Sequence, residues 1–323
     1  MPARRARQAR LARRRPRGYP FLALALLVMV GGLLGGVLTG KLGSSAFTLA
    51  NLHPGNVPAW PIIFITVSCG AVSGFHATQS PLMARCITNE RYVRPVFYGA
   101  MIAEGVIALV WAAAAHGYYG SSEALSVVLD KGGPGQVVHD VCVSTMGAVG
   151  GVLAVLGVVV LPITSGDTAF RVGRLILADY FHLSQRRIRN RYLLAIPLFA
   201  ISIALNFVNF TVIWRYFGWA NQTLAAVTLW VGAVYLARHR SWWWMAALPA
   251  TFMTVMTFTY ILVEEHGFGL DSSLGTILGL GLGLAALAVF LVVRPTLPPE
   301  GENEGMLVGR PTEVEREGEG LAC

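Results

Sequence analysis

The sequence predicts an all-α membrane protein with about eight transmembrane helices, and three observations predict it. Of its 323 residues, 54% are hydrophobic and 13% charged, where a soluble domain carries roughly a quarter charged. Those charges gather in the tails and short connections. The apolar runs left between them reach about 18 residues or more, the length that crosses the hydrocarbon of a bilayer. Arginine and lysine also fall in alternate connections, as the positive-inside rule requires.

In chain order, residues 1–18 form a basic head with eight arginines and no acid. Beside a membrane span this reads as a cytoplasmic anchor to anionic lipid. A basic tail alone does not make a nucleic-acid interface, so the bilayer is the expected partner and nucleic acid is not. The transmembrane domain covers 19–293, with spans at roughly 19–40, 60–81, 95–115, 140–163, 192–213, 217–237, 242–263 and 272–293. The first is long for a cleaved leader and lacks a small-residue cleavage site, so it reads as a signal anchor. Residues 294–323 hold seven glutamates and read as an acidic, disordered cytoplasmic tail. With both termini inside, 22 of the 25 basic residues lie on the cytoplasmic side, and only Lys41, Lys131 and Arg215 lie outside.

Aromatic residues mark the span ends. Trp242, Trp243 and Trp244 open the seventh span, and Trp214, Tyr216, Phe217 and Trp219 crowd the expected turn between the fifth and sixth; amphipathic rings settle at headgroup level. Gly275, Gly279 and Gly283 share one face of the last span, and GGLLGG at 31–36 does the same in the first, a spacing that lets helix backbones approach closely in lipid. The cysteines Cys69, Cys86, Cys142 and Cys323 are scattered, without the spacing of a metal site or disulfide framework, and read as small packing residues. No metal or cofactor is expected.

Three places break the apolar rule. Glu104 lies near the centre of the third span, where insertion of an ionised carboxylate costs about 2.5–3.5 kcal/mol. It is expected to face the bundle interior among Ala100, Ala103 and Ala108, as a proton site or cation ligand, or as a protonated group bonded across helices. In the second place, SCGAVSGFHATQSPLMARC at 68–86, an apolar run dissolves into Gly70, Ser73, Gly74, His76, Thr78, Gln79, Ser80 and Pro81. Such a segment reads as a helix that loosens or breaks, tolerated at membrane depth only where it is buried in protein or lines a watery cavity. Broken helices of this kind bind solutes in transporters, though a kinked helix with an interfacial His76 fits as well. The third, LPITSGDTAF at 161–170, places Asp167 to cap a following helix whose Arg171 and Arg174 face headgroups. Thr164, Ser165 and Asp167 are read either as that cap or as coupling residues. Asn221, Gln222 and Thr223 at the outer end of span six, and His139–Asp140 at the head of span four, read as helix-end polar residues. HExxH and phosphate-binding glycine loops are absent from the sequence, and Ser73 with His76 on one segment makes a poor nucleophile and base, so no enzyme is expected.

The strings SGFHATQSPLMARC, NERYVRPVFYGAMIAEG, LPITSGDTAFRVGRLILADY, WRYFGWANQTLA and PATFMTVMTFTYIL, collinear over about 58–265, resemble the carbon starvation protein A (CstA) family. The resemblance implies a multi-pass transporter of the bacterial inner membrane, induced in carbon starvation, carrying peptides or in some members pyruvate and driven by a cation gradient. It implies an inverted-repeat bundle similar to the amino acid–polyamine–cation superfamily, with a central site at broken helices. Within the quoted strings that site draws on His76, Thr78, Gln79, Ser80, Glu104, Thr164, Ser165, Asp167, Asn221 and Gln222. Family members are about twice as long, so the resemblance also implies that an N-terminal half is lacking here. A second chain or a homo-oligomer would supply it, or the chain is a non-transporting subunit or inactive remnant. The leading reading is proton symport of a small peptide or carboxylate.

Overall fold

The computed structural model describes residues 18–43, 60–65, 72–208 and 210–294. The basic head, the acidic tail and the side chain of Thr164 lie outside the described residues. Every described element is helical: α1 (Gly18–Leu38), α2 (60–65), α3 (Gly74–Cys86), α4 (Ala100–Tyr119), α5 (Ser122–Tyr180), α6 (Ile188–Leu205), α7 (Phe210–Arg238), α8 (Trp244–Val263) and α9 (Ser272–Val293). A 3-10 turn and a π-turn over Glu90–Gly99 lead into α4. Among the described residues, seven helices are long and apolar enough to cross a membrane, so the chain is an all-α, multi-pass membrane protein. The eighth expected span, 60–81, is divided between α2 and α3, with Ser73 extended between them at φ −110 and ψ 132.

The described residues form two compact units, one of 18–43 and 100–168, the other of 60–65, 72–99, 169–208 and 210–294. In the first, α1 packs on α4, and Met29, Leu33, Val110, Ala114, Val141 and Cys142 make a buried core. Half of the glycine string serves that packing. A Cβ on Gly32 would overlap Met146 and one on Gly36 would stand 2.6 Å from Thr145 Cγ2, whereas Gly31 and Gly35 face open space. The expected fourth span, 140–163, is not one helix. Gly133 (φ 69) and Gly147 (φ 64) leave the helical region inside α5. Past Gly147 the chain doubles back: a Cβ on Gly150 would overlap the Cys142 carbonyl, and one on Gly151 would lie 3.9 Å from His139 Nε2. In a straight helix residues 139 and 151 would be about 18 Å apart. The His139–Asp140 pair therefore sits within α5, where Asp140 accepts from the Tyr119 hydroxyl at 3.2 Å and lies 3.4 Å from His139 Nδ1.

In the second unit, α8 is buried along most of its length, including Ala247, Ala250, Met253, Met256, Thr257 and Thr259. As the sequence predicts, Gly275, Gly279 and Gly283 are the buried face of α9, lying against Val263, Thr259 and Val255 of α8. A valine at Gly279 would overlap Thr259 Oγ1 and stand 2.9 Å from the Thr259 backbone nitrogen, which cannot give way. Gly279→Val is expected to cost about 1–3 kcal/mol by overpacking. Gly281→Val, with nothing within 4 Å, serves as control, and thermal denaturation in detergent compares the two. Arg294 closes the far end of α9, 4.4 Å above the ring of Trp243.

Two boundaries differ from expectation. The chain leaves α6 for a turn at 206–208, and α7 already begins at Phe210, so Trp214, Tyr216, Phe217 and Trp219 ride on the opening turns of α7. Asp167 lies within the unbroken stretch 148–180 of α5 and has no helix start to cap. Of the cysteines, Cys142 is buried and free, while Cys86 is disulfide-bonded, not the free thiol expected.

Candidate functional site

The interrupted segment is where the structure concentrates buried polarity. Breaking a helix frees backbone donors and acceptors, and in lipid these must find partners within the protein. α7 supplies two of them from adjacent positions. Asn221 Oδ1 accepts from the Phe75 backbone N–H at 2.9 Å and from the Ser73 hydroxyl at 3.1 Å. Gln222 Nε2 donates to the Ile65 carbonyl of α2, at 3.4 Å. Ser73 also caps α3 directly, its Oγ accepting from Phe75 N–H at 3.2 Å. All three side chains are buried, Gln222 completely (0% exposed). This apposition depends on Gly74, where a Cβ would overlap the Asn221 carbonyl and stand 2.7 Å from Leu224 Cβ.

Along α3 the polar residues divide by what they bond. Thr78 Oγ1 donates to the Phe75 carbonyl and Ser80 Oγ to the His76 carbonyl, both at 2.7 Å. These back-bonds absorb hydroxyl donors within the helix. Gln79 differs: its Nε2 is buried and has no hydrogen-bond partner among the described residues. His76 is partly buried on the same helix. The set is thus amides, hydroxyls and one imidazole. It can hydrogen-bond a carboxylate or a peptide group but brings no fixed charge. Among the described residues no three His, Cys, Asp or Glu side chains converge as a metal would need.

The other expected residues fall elsewhere. Ser73, His76, Thr78, Gln79, Ser80, Asn221 and Gln222 belong to the second unit; Glu104, Ser165 and Asp167 belong to the first. Glu104 is exposed on α4, together with Ala100, Ala103 and Ala108, so the expectation that it faces a bundle interior is corrected. That expectation assumed that whatever shields the carboxylate from lipid lies within this chain. Ser165 and Asp167 are exposed on α5.

A second polar cluster went unread in the sequence. Arg215 on α7 pairs with Glu264 at the end of α8, whose side chain is only 11% exposed. His266 Nδ1 lies 3.3 Å from Arg215 Nη1 and 3.8 Å from Glu264 Oε1, and the Tyr216 hydroxyl donates to the His266 carbonyl. The run Glu264-Glu265-His266 after an apolar span looks like an ordinary loop. Only its pairing with the isolated Arg215 could have marked it.

The sequence model described as "Carbon starvation protein CstA" matches residues 14–130 and 131–260, taking in α1 and the break alike. The chain belongs to the CstA family. It is 25% identical to the "Peptide transporter CstA" of Escherichia coli (strain K12) over 321 residues, covering 76% of this chain and 45% of that protein. Against the "Pyruvate/proton symporter BtsT" of the same organism it is 39% identical over 102 residues, 29% of this chain and 14% of the symporter. An "Uncharacterized protein" of Haemophilus influenzae is 49% identical over 121 residues, 38% of this chain and 88% of that one. The match therefore spans less than half the length of the two named transporters. No solved structure is significantly similar to the chain. CstA is a family of transporters, and the polar break at Ser73 lies within the stretch that the family match covers.

Proposed function

We propose that this CstA-family chain takes part in secondary transport of a small peptide or carboxylate such as pyruvate, with protons as the coupling ion. The observation that carries the reading is the helix start at Ser73, where Asn221 accepts from the Phe75 N–H, Gln222 bonds the Ile65 carbonyl of α2 and Gln79 keeps an amide donor in reserve. Neutral amides at a helix break suit a solute that must be bound and released, since a fixed charge would hold a carboxylate too firmly. The positive N-terminal end of α3 favours an anionic group beside it. The relatives named for peptide transport and pyruvate/proton symport support both solute classes.

Glu104 is assigned the proton. An exposed carboxylate on a membrane-spanning helix needs cover from lipid, which a second chain or a second copy would supply. The arginine and lysine bias supports insertion in the bacterial inner membrane with both termini in the cytoplasm. A second reading, a membrane subunit that does not transport by itself, is favoured by the same exposure of Glu104.

Proteoliposomes holding this chain alone, given labelled peptides or pyruvate with and without an inward proton gradient, separate the two. Gradient-driven uptake supports carriage. None under either condition supports the subunit reading. Where uptake occurs, Glu104→Gln is expected to reduce it at least about tenfold with membrane insertion unchanged; unaltered uptake removes Glu104 from the mechanism.

A further inference from the structure

Arg215 lies about 9 Å along α7 from Asn221, beside a small cavity of about 190 Å³ lined by Arg215, Tyr216, Trp219, Tyr260, Glu264 and His266. The walls are fixed by the way α8 ends. Past Val263 the chain folds back on the helix: the Gly267 N–H bonds the Glu264 carbonyl at 2.8 Å, Phe268 N–H the Ile261 carbonyl at 3.1 Å and Leu270 N–H the Leu262 carbonyl at 2.8 Å. Only glycine fits at 267, where a Cβ would overlap the Ile261 carbonyl. The Tyr216 hydroxyl, donating to the His266 carbonyl, ties this turn to α7. The hydroxyl of the buried Tyr260 hydrogen-bonds Glu264 from below. Trp214 and Phe217, exposed and stacked on the same turns of α7, are rings of the kind that settle at headgroup level. The cavity therefore opens at a membrane surface, within reach of water.

Arg215 meets Glu264 through Nη1, and His266 Nδ1 lies 3.3 Å from the same nitrogen. Its Nε and Nη2 have no acceptor among the described residues. That edge of a guanidinium is a fork that grips a carboxylate with two parallel bonds. Glu264, its side chain 11% exposed, offers an acceptor to an ammonium. The two charges of the pair cancel, so the cavity does not favour either sign alone. A lone carboxylate is repelled by Glu264 and a lone amine by Arg215. A ligand with both charges suits the pair, provided that they stand as close together as the pair itself. In an α-amino acid the ammonium and carboxylate share one carbon; in an extended dipeptide they are about 6–7 Å apart. The cavity is also smaller than the pockets of about 300–1,000 Å³ that take larger ligands.

We propose that Arg215 and Glu264 bind a small free α-amino acid, its carboxylate on the Nε–Nη2 edge of Arg215 and its ammonium on Glu264. The aromatic rings of Trp219 and Tyr260 receive its side chain. This goes beyond transport at the break, because the site lies elsewhere on α7 and is read by binding, not by uptake.

The test is calorimetric titration of the full chain in neutral detergent with L-alanine, acetate and L-alanyl-L-alanine, thermal melting being read in parallel. The wild type is expected to bind L-alanine. R215K keeps a positive charge beside Glu264 but lacks the planar fork; it is expected to melt as the wild type does and to bind L-alanine at least about tenfold more weakly. E264Q, which removes the partner of the ammonium, is expected to lose as much. Whatever acetate and the dipeptide bind elsewhere, their affinities are expected to be the same in R215K as in the wild type. Failure of the wild type to bind L-alanine would overturn the proposal without touching transport at the break. So would unchanged affinity for L-alanine in both variants, or an equal loss of acetate or dipeptide binding in R215K.

Discussion

Asn221→Leu will lower the proposed uptake more than about tenfold and reduce thermal stability by about 2 kcal/mol, the cost of leaving buried donors without an acceptor. Leucine keeps the branching of asparagine but is bulkier, so overpacking of this buried position adds to the cost. What disappears is the oxygen that receives both the Phe75 N–H and the Ser73 hydroxyl. Ser73 Oγ remains as a weaker acceptor for the same N–H, at 3.2 Å. The two side chains therefore back each other up, and Asn221→Leu combined with Ser73→Ala should cost more than the two single changes added together. Asn221→Asp keeps the acceptor and should retain much of the stability. Thermal denaturation in detergent and uptake into proteoliposomes read the two effects separately. Asn221→Leu with wild-type melting and wild-type uptake would show that the interruption needs no partner on α7.

Gly150→Val should be the most damaging single change in the first unit, abolishing accumulation of folded protein in the membrane. The chain reverses at Gly147, which has φ 64, and a Cβ at Gly150, three residues later, would collide with the Cys142 carbonyl and stand 3.0 Å from Met146 Cβ. A backbone carbonyl cannot rotate aside as a side chain can, so the reversal has to open. Overpacking costs about 1–3 kcal/mol where neighbours can shift and more where they cannot. Gly147→Ala should be milder, because nothing lies within 4 Å of its Cβ and only its backbone conformation, φ 64 and ψ −144, is penalised, at about 1–3 kcal/mol. Expression level and size-exclusion profile of the two variants test this order. If Gly150→Val gives wild-type yield, the reversal at Gly147 is wrong.

What could be read from the sequence follows the physics of each signal. The helical membrane class was legible because hydropathy, charge bias and aromatic ends are each properties of single segments. The break at Ser73 was legible too, since Gly, Ser, Thr, Gln and Pro cannot crowd into an apolar run without loosening it. Its partners were harder. Asn221 and Gln222 looked like helix-end residues because Arg215 and four aromatics imitate a turn, whereas the turn at 206–208 lies in Asn-Phe-Val, with neither glycine nor proline. Moving the start of α7 back to Phe210 puts both amides about three turns inside the helix. The reversal at Gly147 was hidden for a different reason: glycines in a membrane run signal close helix packing equally well. Glu104 was misread because its position near the middle of an apolar run does not say which face of the helix is covered, and the structure leaves it exposed on α4.

Carriage at the break requires that the interruption between α2 and α3 meet water and solute within the membrane. Single cysteines placed at Gln79 and Ser80, and at the exposed Phe258 of α8 as a lipid-facing control, can be challenged with a membrane-impermeant maleimide in proteoliposomes, with and without pyruvate or dipeptide. Positions 79 and 80 are predicted to react, to be protected by the transported solute, and to do so far faster than 258. Labelling at 79 and 80 no faster than at 258, and indifferent to solute, would contradict a solute site at the break.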